Sequence, residues 1–143
     1  MNEYNQKALN DTYKNAHIAL QSIADLLPSV EDENLKQHLK EEYSGYEAIM
    51  KEISSYMLEE NLTPKDINGF KKAMLWGSIK MKVAMDNSKN QIADMMLKGT
   101  VMGINELYAM VNESQNLEDG VRSLIEKLLH LEEEYEKTLR KFL

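Results

Sequence analysis

The 143-residue chain contains no cysteine. That absence excludes disulfide staples, thiol nucleophiles, cysteine-based zinc sites and iron–sulfur clusters together, and it fits a reducing compartment. Proline is nearly missing as well, at two residues, and glycine is held to six. A turn-rich β fold needs more of both, so their scarcity points to long helices. No stretch approaches the roughly 18 consecutive apolar residues of a membrane-spanning helix. The start, Met1-Asn2-Glu3-Tyr4, lacks the basic region and apolar run of a signal peptide, so a soluble cytoplasmic protein is expected.

The residues that are present are of ordinary globular mix, 43% hydrophobic and 29% charged. This suits one domain spanning residues 1–143, because a chain of about 150 residues buries roughly 70% of its unfolded surface without staples. The net charge of −7 disfavours nucleic acid as a partner.

Apolar residues recur at spacings of four and three, the signature of amphipathic helices. A first helix is expected over about residues 3–27, with Leu9, Tyr13, Ala16, Leu20, Ile23 and Leu27 on its stripe. Pro28 stops it. Ser29 as N-cap and Asp32 three residues on predict a second helix over about 31–60, whose stripe is Leu35, Leu39, Glu42, Tyr46, Ile49, Ile53 and Tyr56. Thr63-Pro64 starts a shorter helix over 64–84. Ser88 with Gln91 opens another over 88–113, with Ile92, Met96, Gly99, Gly103, Leu107 and Met110 on one face. The last runs over 118–142 with Val121, Leu124, Ile125, Leu128, Leu131, Tyr135, Leu139 and Phe142.

Four long helices of about 37 Å each, at 1.5 Å per residue, predict an all-α four-helix bundle. The short helix lies in the long crossover between the second and third bundle helices, which gives an up-down-down-up order. Counting outward from the two tight turns puts His17 level with Glu42 and Glu132 level with Gly99, all in one layer. A bundle core holds metal through carboxylates on facing helices, so His17, Glu42 and Glu132 are the candidate ligands for a single iron, manganese or zinc ion. The competing expectation is a polar layer in which His17 and Tyr46 partner Glu42, and Tyr135 partners Glu132. Glu132 also begins the acidic run Glu132-Glu133-Glu134, which reads as a solvated face. His38 and His130 are expected at the surface. The methionines follow helical faces and read as core filling. Gly99 and Gly103 read as points of close helix approach.

This layout, with Gly69-Phe70-Lys71-Lys72-Ala73-Met74-Leu75-Trp76-Gly77 and Lys98-Gly99-Thr100, resembles the ferritin-like superfamily. Within it, the chain is similar to a bacterial group of small ferritin-like domains of unknown function. The resemblance implies the crossover helix and a metal layer built from one glutamate on each of two helices and Glu-x-x-His on the other two. Carried across, it keeps Glu42 and Glu132. Gly45 and Tyr135 stand at the two histidine positions, Thr100 at the third-helix glutamate, and His17 or Ala16 at the first. Two of six ligands remain, which implies a degenerate layer and no oxidase chemistry.

Charge is unevenly spread. Residues 64–89 carry six lysines against two aspartates, a net +4, leaving −11 on the rest. Lys71, Lys72, Lys80 and Lys82 near Trp76 form a basic face suited to an acidic protein or anionic surface, most simply the chain's own acidic bundle, in cis or in a second copy. No phosphate loop, nucleophile elbow or Ser-His-Asp order is present, and Glu126 with His130 lacks the second histidine of a zinc-protease motif. The expectation is a non-enzymatic bundle acting through protein association, as a homodimer and without a cofactor. The alternative is a metal-binding protein with a residual redox or storage role.

Overall fold

The computed structural model describes residues 1–63, 87–113 and 116–143. These residues are all-helical, with no strand among them: α1 (Glu3–Leu26), α2 (Glu33–Glu59), α3 (Lys89–Glu113) and α4 (Asp119–Arg140). The crossover helix expected over 64–84, with Trp76 and its lysines, lies outside the described residues. Among the described residues, no helix is long and apolar enough to cross a membrane.

The helix ends follow from local chemistry. Asn2 caps α1 by accepting from the Asn5 N–H at 2.9 Å. Pro28 ends α1 as expected, but within a 3-10 turn, Leu27–Ser29, that takes up Ser29. Asp32, not Ser29, is therefore the cap of α2, and its carboxylate accepts from the Leu35 N–H at 2.8 Å. α2 closes at Asn61, in the left-handed region at φ 59°. The Leu62 N–H returns to the Met57 carbonyl at 2.7 Å and the Asn61 N–H to Leu58 at 3.1 Å, which satisfies two terminal carbonyls.

Each helix turns one face inward. Leu9, Ala16, Leu20 and Ile23 of α1 meet Leu35, Leu39, Ile49 and Ile53 of α2, Ile92 and Leu107 of α3, and Val121, Ile125, Leu128 and Leu139 of α4 in one core. Packing is closest within the consecutive pairs α1–α2 and α3–α4. At one end, Asn87 Nδ2 reaches Glu31 Oε1 at 3.5 Å, which sets the start of α3 beside the α1–α2 turn. At the other end, the buried Asn5 joins the starts of α1 and α4. Its Oδ1 accepts from the Glu118 N–H at 2.8 Å, and its Nδ2 donates to Asn2 Oδ1 at 2.8 Å and the Asn116 carbonyl at 3.3 Å. α1 and α4 therefore run one way, and α2 and α3 the other.

Asn5 thus satisfies three polar groups in a buried corner. Asn5→Ala leaves the Glu118 N–H and Asn116 carbonyl without it, so urea denaturation is expected to show a loss of about 2 kcal/mol. Asp32→Ala, which removes the α2 cap, is expected to lose about 1 kcal/mol.

Candidate functional site

The stripe of α2 is buried as its spacing predicts from Leu35 to Ile53, whereas Tyr56 is half-buried and Met57 enters the core in its place; Glu42 is fully inside the stripe, at 0% exposure. One turn earlier stands His38, also buried rather than at the surface. The reason lies in its two faces. The ring stacks on Phe142 and meets Tyr135 edge-on, each at 6.0 Å between centroids, while Nε2 lies 2.5 Å from Glu42 Oε2. Burial raises the affinity of the Glu42 carboxyl for a proton, and His38 opposes the shift only in part.

Glu132 is likewise buried, at 2% exposure, while its neighbour Glu134 is exposed, so the acidic run divides between core and water. The stripe of α4 passes through Val121, Ile125, Leu128 and Glu132 to Leu139. Tyr46 Oη donates to Glu132 Oε2 at 3.3 Å. Burial, with the charges of Glu106 and Glu42 nearby, pushes the Glu132 carboxyl up to about 8, against the hydrogen bond from Tyr46. The same burial holds the Tyr46 hydroxyl well above its ordinary range and takes Tyr135 up to about 12.

Glu132 faces Gly103, not Gly99. A Cβ on Gly103 would sit 2.9 Å from Glu132 Oε1 and 3.4 Å from Asn15 Nδ2, whereas one on Gly99 would meet nothing within 4 Å. Two causes combine. A helical side chain leans toward its own N-terminus, which in an antiparallel neighbour is one turn further along the sequence. The buried face of α3 also runs through Met96, Thr100 and Ile104, leaving Gly99 exposed. Thr100 can enter the core because its hydroxyl donates to the Met96 carbonyl at 2.8 Å. Met57 and Met96 fill the core as expected, but Met102, at 69% exposure, does not.

Gly45 and Tyr135 form one contact. The Tyr135 hydroxyl occupies the space that a side chain at residue 45 would need, and ring carbon Cζ would be 3.2 Å from its Cβ. The Tyr46 and Tyr135 rings lie 5.4 Å apart at 55°, so the layer is Glu42–His38 and Glu132–Tyr46 with Tyr135 against both. The ring of His17 on α1 packs against Tyr13, 6.0 Å between centroids. Among the described residues, no group of three or more His, Asp or Glu side chains is placed to hold a metal ion. No protein-family model, no curated protein and no solved structure matches the chain. Two residues of the site carry little signal in the sequence: His38, marked only by its i, i+4 spacing to Glu42, and Asn15. The latter links α1 to α3 by donating to the Gly103 carbonyl at 3.1 Å and Glu106 Oε2 at 3.3 Å.

A carboxyl whose folded value exceeds its unfolded one keeps a proton that unfolding releases. Its stabilising contribution is complete below the unfolded value and is lost as pH rises through the folded one. For Glu132 that window runs from 4.5 to about 8. Denaturation free energy is expected to fall across it by up to about 1.4 kcal/mol per pH unit. Glu132→Gln should flatten most of that fall, and an unchanged slope would contradict the assignment. Gly45→Ala gains about 1 kcal/mol of helix propensity but meets the Tyr135 hydroxyl, an overpacking of about 1–3 kcal/mol. A net loss of stability is expected, relieved in Gly45→Ala/Tyr135→Phe.

Proposed function

We propose that the chain is a non-catalytic bundle of ferritin-like, up-down-down-up order, completed by a crossover helix over residues 64–84, which acts by protein association as a homodimer. Its middle layer is degenerate as a metal site and serves as a protein-only polar layer. The observation that carries this reading is how the layer uses its carboxyls. Glu42 is engaged by His38 and Glu132 by Tyr46, and the positions where the ferritin-like pattern calls for histidines are filled by Gly45 and Tyr135 packing into each other. A histidine at 45 has no room while Tyr135 stands there. The opposed directions of α1 with α4 and α2 with α3 support the topology.

The association half rests on charge. A net +4 over residues 64–89 and −11 elsewhere make one copy's basic segment complementary to another copy's acidic surface. Light scattering is expected to give a dimer at low salt that weakens as salt rises and in Trp76→Ala. A monomer at every ionic strength would overturn it.

The burial of two carboxyls at one level favours one second reading, a metal-binding protein that holds a single iron, manganese or zinc ion at His17, Glu42 and Glu132. Elemental analysis of protein purified without chelator or metal-affinity tag separates the two. Substoichiometric metal, unchanged in Glu42→Ala and Glu132→Ala, is the expected result. Stoichiometric metal lost in both variants would establish the second reading instead.

A further inference from the structure

We propose that the cleft between α1 and α3 is a binding site for a small apolar organic ammonium ion, of the size of benzylammonium, whose charged end meets Glu132 Oε1. The cleft goes beyond the association reading and stands independently of it. Its volume is about 160 Å³, the class of engineered cavities of about 150 Å³ that admit benzene.

Three observations define the occupant. The walls are apolar, drawn from Ile18 and Ala19 of α1 and Met95 and Met96 of α3, so the body of the ligand is apolar. At the floor is Glu132, 2% exposed, with Oε2 taken by Tyr46 and Oε1 without a hydrogen-bond partner among the described residues. A buried polar atom without a partner is costly, and a ligand N–H directed at Oε1 supplies one. At the rim, Glu106 adds a second carboxylate, and among the described residues no lysine or arginine lines the cleft. Two acids and no cation select against anionic ligands and toward a donor of positive charge. The Tyr46 ring, also part of the lining, offers a further attractive face to an ammonium.

Tyr46 and Glu42 face Glu132 from α2 and Glu106 from α3, while α1 presents the neutral Asn15, so none of these groups is a cation that competes with an ammonium for Oε1.

Titration calorimetry on the full chain, with benzylammonium, neutral benzyl alcohol and anionic benzoate as probes, tests this directly. Benzylammonium is expected to bind at least tenfold more tightly than benzyl alcohol, with no binding of benzoate. Glu132→Gln should abolish the preference for the ammonium. A second variant, Gly99→Phe, at a lining position where a Cβ meets nothing within 4 Å, fills the cleft while keeping the Glu132 carboxyl and should weaken all binding while the fold is kept. Equal affinity for the alcohol, full binding by Glu132→Gln or Gly99→Phe, or no heat from benzylammonium at millimolar concentration would each overturn the proposal.

Discussion

A carboxyl inside an apolar bundle must be given a proton or a partner, and the middle of this molecule is organised around two of them. Glu42 and Glu132 are as buried as the leucines beside them. Ionised and alone, each would carry a desolvation penalty large enough to unfold a small domain. The chain answers with partners and with protons: His38 Nε2 lies against Glu42 Oε2, the Tyr46 hydroxyl hydrogen-bonds to Glu132, and burial leaves the carboxyls themselves reluctant to ionise. Neutral, partnered acids can sit in a helical core where charged ones cannot.

The surrounding residues are fitted to that arrangement. Gly103 has no side chain because the Glu132 carboxyl lies where one would be, and Gly45 has none because the Tyr135 hydroxyl fills the same kind of space. Thr100 and Asn15 bring polar atoms to the layer but turn them toward backbone carbonyls. The two helical hairpins are joined at one end through Asn5 and at the other through Asn87 and Glu31. The layer between them therefore has a fixed register, and small residues set how closely the helices can approach it.

Much of this was legible in the sequence, and the exceptions have physical causes. Apolar spacing located the four long helices to within about two residues, and it placed Glu42 on the buried face because α2 keeps a regular four-and-three pattern. The same method failed on α3. Glycines carry no hydropathy signal, so Gly99 was counted inward in place of Thr100, whose polarity hides once its hydroxyl bonds back to the helix. His38 read as a surface residue because a single histidine has no periodicity of its own, and its burial depends on Phe142 and Tyr135 more than 90 residues away. The one-turn offset between Glu132 and Gly99 arose from counting Cα levels, when the carboxyl leans back toward the start of its helix. The 3-10 turn at Pro28 takes up Ser29, so the cap of α2 falls on Asp32 instead.

The polar layer also links the structural and functional readings. Glu42 meets His38 through Oε2, while its Oε1 and the Oε1 of Glu132 find no hydrogen-bond partner among the described residues, and Glu132 lines an apolar cleft. Whether Glu132 is neutral at physiological pH is therefore the point on which both depend. Carbon-13 NMR of the side-chain carboxyls, with the Glu132 signal assigned from Glu132→Gln, measures it directly. A titration midpoint near 8 is the predicted result, and a midpoint near the ordinary 4.5 would contradict a neutral, protein-partnered layer.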